Sequence, residues 1–314
     1  MFNEAECIAA FAVAVSAELQ RITNDWEIIL VDDGSSDGTW SIVQELHCQE
    51  HRIKIIQFSR NFGHQLAVTA GIKYACGDAV IVMDSDLQHP PELIPKMVAL
   101  WLEGYHAVFT TRTYSKEINW FKRKSSDLFY RFYNAVSDVK TEQGAADYRL
   151  LDRKAVEYFN SMSETGRFIR GMVRWLGFRQ TSIAFTANSR LQGFSKFTFW
   201  RLFSLAVDGI TSFSIQPLRW ITYAGLAVAA VSMLYACSVF YEVFSTGITT
   251  PGWPTLVIAV TFLGGMQLIA LGIIGEYVGR IYLETKHRPL FVIQEQVGFE
   301  VSNTLTSTAT AAAA

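Results

Sequence analysis

The stretch Ala79-Val80-Ile81-Val82-Met83-Asp84-Ser85-Asp86 places a short apolar run directly before two carboxylates that are one residue apart. An apolar run of this length that ends in polar residues is typical of a buried strand in a parallel sheet. In such sheets, ligands bind beyond the carboxyl ends of the strands. The stretch therefore predicts a strand over residues 79–83 with a ligand site at its carboxyl end.

The rest of the first 110 residues repeats this arrangement, because further apolar runs alternate with helical patterns. The apolar runs are Trp26–Val31, Ile53–Phe58, Ala79–Met83 and Ala107–Thr111, and the helical patterns are Ala5–Arg21, Asp37–Glu50, Gln65–Ala75 and Pro91–Glu103. This alternation predicts an α/β domain with a mostly parallel sheet. No G-x-G-x-x-G or G-x-x-x-x-G-K-[ST] pattern is present, so the sequence gives little support to a dinucleotide site or a P-loop.

The acidic strand ends indicate a nucleotide that is bound through a metal ion. Asp84, Asp86 and Gln88 offer oxygen ligands at alternate positions, and such ligands suit Mg²⁺ or Mn²⁺, which also bind diphosphate oxygens. Without a cation, these carboxylates would repel a phosphate. Asp32 and Asp33 end the first apolar run and are predicted to bind ribose or base hydroxyls.

The charge of the chain is divided into three blocks. Among 314 residues the net charge is −2, but residues 1–110 hold 6 basic and 15 acidic residues, and residues 111–201 hold 17 and 8. The remaining residues hold only 4 basic and 6 acidic ones. The hydrophobic content of 50% excludes a disordered chain. The 4 cysteines form no C-x-x-C pair and are interpreted as reduced thiols in a chain that faces the cytosol.

The last third contains two uncharged segments of membrane-spanning length. Ile221–Tyr241 and Thr255–Gly275 are each long enough to cross about 30 Å of hydrocarbon as helices. Basic residues flank the pair on its outer sides, at Arg219, Arg280, Lys286 and Arg288. The positive-inside rule then keeps both flanks cytoplasmic. A buried hairpin of a soluble core is the alternative. The start of the chain has no signal-peptide pattern.

The basic middle block favours a membrane surface over a nucleic acid, because it lies just before the two apolar segments. Trp120–Val136 and Phe197–Phe203 have amphipathic patterns that are typical of helices in the headgroup layer. Ordinary packing on the sheet is the alternative for both. The candidates for two phosphate sites are Arg112, Arg123, Arg131, Arg149, Arg190 and Lys196.

Four ordered motifs carry a resemblance to a known family. They are Phe2-Asn3-Glu4, Val31-Asp32-Asp33-Gly34-Ser35-x-Asp37, Arg60-Asn61-Phe62-Gly63 and Asp84-x-Asp86-Leu87-Gln88-His89-Pro90-Pro91. The chain resembles the polyisoprenyl-phosphate glycosyltransferases of glycosyltransferase family two, which have a GT-A fold and include dolichyl-phosphate mannose synthases and bactoprenol glucosyltransferases. One feature departs from the family pattern. The strand that precedes the Asn-Glu pair is missing, so the sheet is expected to lack a central strand unless the natural chain begins earlier.

The resemblance implies roles for individual residues. Asn3, Glu4, Asp32 and Asp33 would line the nucleotide pocket, and Asp84, Asp86 and Gln88 would hold the cation on the diphosphate. Asp147 matches the family's candidate base and would lie near the acceptor, with Asp86 and Arg149 completing the catalytic set. Because a phosphate monoester has a second pKa of about 6 and is already mostly ionised, Asp147 is expected to orient the acceptor or its cations more than to abstract a proton. Arg190, Ser195 and Lys196 would close over the donor diphosphate, while Arg112, Arg123 and Arg131 would bind the acceptor phosphate. His64 alone is interpreted as structural.

The predicted organisation follows from these points. It consists of a glycosyltransferase domain at 1–196, an amphipathic helix at 197–217, a hairpin at 218–289 with spans near 219–243 and 254–279, and a partly disordered cytoplasmic tail at 290–314. The predicted reaction is inverting, metal-dependent transfer of glucose from UDP-glucose to undecaprenyl (bactoprenol) phosphate. The predicted location is a bacterial inner membrane, with the catalytic domain cytoplasmic and no nucleic-acid partner. Transfer of mannose from GDP-mannose, a non-enzymatic scaffold or flippase accessory, and self-association are left open.

Overall fold

A computed structural model describes residues 1–113, 145–186, 216–246 and 252–299. The helices are α1 (Ile8–Gln20), α2 (Thr39–Gln49), α3 (His64–Tyr74), α4 (Ile94–Leu102, after a short 3₁₀ turn at Pro91–Leu93), α5 (Arg153–Ser161), α6 (Ile169–Trp175), α7 (Gln216–Thr246) and α8 (Trp253–Thr285). The strands are β1 (Ile28–Asp32), β2 (Ile53–Phe58), β3 (Ala79–Val82), β4 (Ala107–Thr113), β5 (Ala145–Asp152), β6 (Gln180–Thr186) and β7 (Ile293–Val297). The four strands and four helices predicted for the first 110 residues are confirmed to within a few residues at each end.

The described strands form two sheets, with the orders β1-β2-β7 and β3-β5-β4-β6. The pairs β1–β2 and β4–β6 are parallel. The pairs β2–β7, β3–β5 and β4–β5 are antiparallel. The α/β class is confirmed, but the sheets are mixed rather than mostly parallel. The reason is that β5 and β7, which the apolar pattern did not predict, both enter against the direction of their neighbours.

The core lies between the sheets and the helices that cover them. Ile8 of α1, Val43 of α2 and Ile55 of β2 are fully buried in one cluster, which extends to Val108 of β4 and Leu150 of β5. This cluster joins the two sheets, because it takes side chains from strands of both. Burial of such side chains stabilises the fold by about 1.5–3 kcal/mol each.

The first residue of the chain pairs along the free side of β1. The Met1 ammonium donates to the Val31 carbonyl at 2.9 Å, and the Met1 carbonyl accepts from the Asp33 amide at 3.0 Å. These two bonds have the pattern of a parallel strand pair. They place Asn3 and Glu4 beside the loop that follows β1.

The segment after α8 returns to the α/β domain. β7 pairs with β2, with Ile55 opposite Val297, and the ring of Phe291 stacks on that of Phe58 with centroids 5.0 Å apart. Residues 290–314 were predicted to form a cytoplasmic tail. The structure places residues 293–297 in the sheet instead, while residues 300–314 lie outside the described ranges.

We expect Phe291→Ala to lower the free energy of unfolding by about 1–3 kcal/mol, because it removes a half-buried ring from its stacked partner Phe58. The measurement is denaturant unfolding of the full chain in detergent. Val292→Ala, at a neighbouring position that is 47% exposed, is the matched control and should change stability by less than about 0.5 kcal/mol. Equal effects of the two substitutions would contradict this packing role.

Helices α7 and α8 are long and apolar enough to cross a membrane, over Leu218–Tyr235 and Phe262–Thr285. Neither segment is buried inside the protein, and large side chains such as Leu234 and Leu268 are each 72% exposed. A helix that presents apolar side chains outward fits a lipid environment rather than water. The two helices contain the spans predicted near 219–243 and 254–279.

Candidate active site

The site forms at the carboxyl end of β3, where the antiparallel strand β5 runs alongside it. The register places Arg149 opposite Val82, and continuing that register two residues further places Asp147 opposite Asp84. His64, the first residue of α3, faces both carboxylates. Its Nε2 atom lies 3.7 Å from Asp84 Oδ1 and 3.7 Å from Asp147 Oδ2. The two acidic side chains predicted to serve the metal and the acceptor are therefore neighbours.

Asp32 and Asp33 lie at the end of β1 and are both buried. Asp32 Oδ1 accepts from the amide and the hydroxyl of Ser35 at 3.2 and 2.5 Å. Asp33 accepts from the amides of Phe62 and Gly63 at 2.6 and 2.9 Å. Both carboxylates thus fix the loops that surround the predicted nucleotide pocket.

Gly34 permits the close approach of these two loops. It has a φ of +73°, and a Cβ atom there would lie 2.7 Å from the carbonyl carbon of Arg60. A larger residue at this position would be strained in its backbone and would also clash with the neighbouring loop. The Arg60-Asn61-Phe62-Gly63 motif is therefore held in place by the residues that follow β1.

Asn3 and Glu4 lie against the same loop. Asn3 Oδ1 accepts from the Ser36 amide at 2.9 Å, and the Glu4 amide donates to Thr39 Oγ1 at 3.0 Å. Asp37 accepts from the Thr39 amide at 3.0 Å, at the first residue of α2. The structure thus brings Asn3, Glu4, Asp32 and Asp33 together around one loop, as the motifs predicted.

Asp84 and Asp86 are partly exposed, and the backbone of residues 84–89 forms a tight turn. The Asp84 amide donates to His89 Nδ1 at 3.1 Å, and Asp86 Oδ1 accepts from the Gln88 amide at 3.1 Å. Leu87 adopts a φ of +57°, which is unusual for a residue with a branched side chain. The turn therefore directs both carboxylates to the same end of β3.

His89 supports Asp84 from beneath. It is only 2% exposed, and its ring stacks on the Tyr148 ring with centroids 5.1 Å apart. Burial lowers the pKa of His89, so the ring is neutral and its Nδ1 atom can accept the Asp84 amide proton. Sequence reasoning did not assign this role, because it depends on β5 packing under the Asp84 turn.

The oxygen atoms of Asp84 and Asp86 fit a hard divalent cation. Asp84 keeps about a third of its side chain exposed, and carboxylate oxygens are the ligands that Mg²⁺ and Mn²⁺ prefer. Within the described ranges, no group of three or more His, Cys, Asp or Glu side chains could hold a metal ion. A cation here would therefore take the rest of its ligands from water and substrate oxygens, as Mg²⁺ commonly does.

Gln88 has a different environment from the other two predicted ligands. It is 7% exposed, and its Oε1 atom accepts from Arg112 Nη2 at 2.9 Å. Its Nε2 atom has no hydrogen-bond partner among the described residues. The structure thus joins Gln88 to Arg112, one of the predicted acceptor-phosphate residues, at the edge of the carboxylate pair.

Asp147 is surrounded by positive charge. Arg170 binds both of its oxygens, with Nε 2.9 Å from Oδ1 and Nη2 2.8 Å from Oδ2. The Arg149 guanidinium also donates to Oδ1. Burial alone would raise the pKa of Asp147, but the contacts with His64 and Arg170 and the charge of Arg149 outweigh it and hold this pKa well below its usual range. Asp147 is therefore a poor proton acceptor, in contrast to the role of base that the resemblance implies.

Arg149 is the most deeply placed of these charges, with only 1% of its side chain exposed. Burial lowers the pKa of Arg149 to about 10, which leaves it charged at neutral pH. Its Nη1 atom is buried and has no hydrogen-bond partner within the described part of the chain. A buried donor of this kind is suited to an anionic or hydroxyl oxygen of a substrate.

Two further groups at this site were missed by sequence reasoning. Arg170 belongs to a basic segment that includes Arg167 and Arg174, and the sequence alone does not indicate which of the three faces Asp147. His64 was interpreted as structural, although the structure places it between Asp84 and Asp147. Its position directly after the Arg60-Asn61-Phe62-Gly63 motif of the resemblance was the available signal.

Several predicted residues lie outside the described ranges. These are Arg123, Arg131, Arg190, Ser195 and Lys196, together with the helical patterns at 120–136 and 197–203. The predicted domain boundary at 196 and most of the predicted helix at 197–217 also lie there.

Comparison with known proteins gives similarity along nearly the whole chain. Residues 1–159 match the family described as Glycosyl transferase family 2. The uncharacterized glycosyltransferase YkcC of Bacillus subtilis is 39% identical over 300 residues, covering 96% of this chain and 93% of the relative. A bactoprenol glucosyl transferase of Shigella phage SfV is 39% identical over 296 residues, covering 94% and 96%. A solved mannosyltransferase from Pyrobaculum calidifontis, in complex with GDP-Man and Mn²⁺, has a TM-score of 0.47 at 14% identity, covering 88% of this chain and 85% of that one.

Proposed function

The chain belongs to glycosyl transferase family 2, and on this premise we propose that it transfers glucose from UDP-glucose to the phosphate of a membrane polyprenyl phosphate. Relatives with 39% identity over 94% of the chain are named bactoprenol glucosyl transferases. That similarity includes the two apolar helices as well as the catalytic domain. The product would be a lipid-linked sugar at the membrane surface.

The observation that carries the proposal is that a group of acidic side chains and a group of basic side chains lie next to each other in the site. The Asp84–Asp86 pair is suited to a cation on the donor diphosphate, and the Arg149–Arg170 pair is suited to the acceptor phosphate. His64 Nε2 lies 3.7 Å from a carboxylate of each site. Two phosphorylated substrates could therefore be held side by side, which is what transfer between them requires.

Each residue then has a role in the reaction. Asp84 and Asp86 would hold the divalent cation, which when bound offsets the negative charge that develops on the leaving diphosphate. An acceptor phosphate oxygen attacks the anomeric carbon, the bond from that carbon to the diphosphate breaks, and the sugar configuration inverts. The phosphate monoester has a second pKa of about 6, so it is already ionised at neutral pH and needs no strong base. Asp147 fixes Arg149 and Arg170 in position for that phosphate.

The path of the chain supports a cytoplasmic two-pass arrangement. β6 precedes α7, and β7 follows α8 and pairs with β2. Both ends of the hairpin are thus attached to the catalytic domain, and two crossings return the chain to the side from which it started. The basic residues Arg219, Lys286 and Arg288 at these ends favour the cytoplasmic side of a bacterial inner membrane.

The test is transfer of labelled sugar by the full chain in vesicles that contain polyprenyl phosphate. UDP-glucose, UDP-galactose and GDP-mannose are compared as donors, each with Mg²⁺, with Mn²⁺ or with a chelator. We expect labelled lipid with UDP-glucose, and loss of the product with the chelator. Lipid product only with GDP-mannose would overturn the proposed donor, and the absence of product with every donor would overturn the proposed acceptor.

A further inference from the structure

The end of the second apolar helix makes a direct contact with the catalytic domain. Glu284, one residue before the end of α8, accepts from both the amide and the hydroxyl of Thr165, each at 2.8 Å. The two residues are 119 positions apart in the sequence. Hydrogen bonds to a carboxylate are stronger than those between neutral groups. This contact therefore joins the membrane helix to the loop of residues 162–168, between α5 and α6.

The loop is braced from within the catalytic domain. The Arg167 guanidinium donates to the carbonyls of Phe159, Met162 and Glu164 at 3.4, 2.5 and 3.1 Å. Just after the loop, the Ile169 amide donates to Gln65 Oε1 at 3.2 Å. The loop therefore keeps its shape through contacts that do not involve α8.

The same loop leads directly to the acceptor side of the site. Arg170 follows Thr165 by five residues, a separation of at most about 18 Å along an extended chain, and it binds Asp147 through both of its oxygens. Since Arg170 is also held by Asp147, its place within the domain does not depend on Glu284. What Glu284 fixes is the position of this part of the domain relative to α8.

The position of Glu284 along α8 sets the distance between the Thr165 contact and the bilayer. The apolar segment of α8 that ends at Thr285 already includes the charged pair Glu276 and Arg280 near its end. Its uncharged part ends at Gly275, which is taken as the edge of the hydrocarbon, and nine further residues of helix place Glu284 about 13 Å beyond that edge. The headgroup layer on each side of a membrane is about 5–8 Å thick. The contact with Thr165 therefore lies about 5–8 Å beyond this layer, on the side from which the catalytic domain would reach a phosphate in the headgroups.

We propose that the Glu284–Thr165 contact is a positioning contact that selects acceptor phosphates presented at the membrane surface. It holds the Arg170–Asp147 end of the site at a fixed distance from the bilayer surface, so that a phosphate anchored in the bilayer reaches it. A soluble phosphate reaches the site by diffusion and does not depend on that distance. This inference rests on the proposed function, and it adds an acceptor-specificity role for the anchor.

The first test compares two acceptors for each variant. One is a long-chain polyprenyl phosphate in vesicles, and the other is a water-soluble phosphate with only two isoprene units. For Glu284→Ala we expect kcat/KM with the lipid to fall at least tenfold, because small displacements of bound groups have large effects on rate. With the soluble acceptor it should stay within about twofold. Glu284→Gln, which keeps an acceptor oxygen, should recover most of the activity with the lipid.

Glu276→Ala is the matched control, because Glu276 lies on the same helix and pairs with Arg280 within that helix, 3.1 Å from its Nε atom. It should leave the ratio of the two activities unchanged. An equal loss with both acceptors in Glu284→Ala, or no loss with either, would overturn the proposed positioning role. A wild-type protein that is inactive with both acceptors would instead overturn the proposed function.

The second test is independent of activity. Hydrogen exchange of the Thr165 amide in the full chain should accelerate at least tenfold in Glu284→Ala and be unchanged in Glu276→Ala. Arg167, which braces the loop from the other side, is intact in both variants. An unchanged exchange rate at Thr165 in Glu284→Ala would overturn the contact itself, whatever the outcome of the transfer assay.

Discussion

Asp84→Ala is expected to lower the rate of sugar transfer at least 100-fold while leaving the protein folded. The carboxylate is one of two that would hold the cation, and a cation at a leaving group contributes several kcal/mol to the transition state. Each 1.4 kcal/mol corresponds to a factor of about ten in rate. The side chain is about one-third exposed, so its removal leaves no large cavity. The measurement is the initial rate of lipid-linked product formation at saturating UDP-glucose over a range of Mn²⁺ concentrations.

Asp25→Asn is the control for Asp84→Ala, since Asp25 is an exposed carboxylate in the connection before β1, at the end of that strand opposite to Asp32. It should have activity close to that of the wild type. An Asp84→Ala variant with full activity, or one whose remaining activity shows the wild-type metal dependence, would contradict the assignment of Asp84 to the cation.

Asp147→Ala is expected to lower the free energy of unfolding by about 3–5 kcal/mol and also to abolish transfer. Arg149 is 1% exposed, and the substitution would leave its charge buried without this carboxylate, which is the costly way to break a buried ion pair. The measurement is denaturant unfolding of the full chain in detergent, together with the transfer assay. Because the folded state lowers the pKa of Asp147, its stabilisation is present above about pH 4 and is lost as the pH falls below that value.

The double variant Asp147→Ala/Arg149→Met separates the two effects of Asp147→Ala. Replacing the buried charge with an apolar side chain of similar length should recover most of the lost stability. It should not recover transfer, because the proposed phosphate-binding charge is then absent. A single variant that is as stable as the wild type would show that the pair has no structural role.

Much of the first domain can be predicted from its apolar runs, because each of them is bounded by turn residues. Ile53–Phe58 is both the predicted and the observed range of β2. β5 escaped prediction, since its sequence Ala145-Ala146-Asp147-Tyr148-Arg149-Leu150-Leu151-Asp152 has two charged residues among its central positions. Those charges are tolerated only because they pair with each other and with Arg170. A functional site thus interrupts the pattern from which a strand is predicted.

That Asp84 and Asp147 lie close together could not be derived from their spacing in the sequence either. The two residues are far apart in the sequence, and only the antiparallel register of β3 and β5 brings them together. The motifs of the resemblance did identify both residues, but they assigned Asp147 the role of a base. Its pKa is held low by His64, Arg170 and Arg149 against the effect of burial, and the contributions of His64 and Arg170 depend on how α3 and α6 pack. Local sequence therefore indicated which residues belong to the site, and tertiary packing determined what they do there.

The return of the chain to the sheet as β7 has a consequence for the order of synthesis and folding. Until residues 293–297 have emerged from the ribosome, the outer side of β2 is an unpaired strand edge, and such edges promote aggregation. Both apolar helices precede β7 and must enter the bilayer first if they span it. Completion of the catalytic domain then follows membrane insertion, so the enzyme would gain its full fold only after it is already at the surface where its acceptor is found.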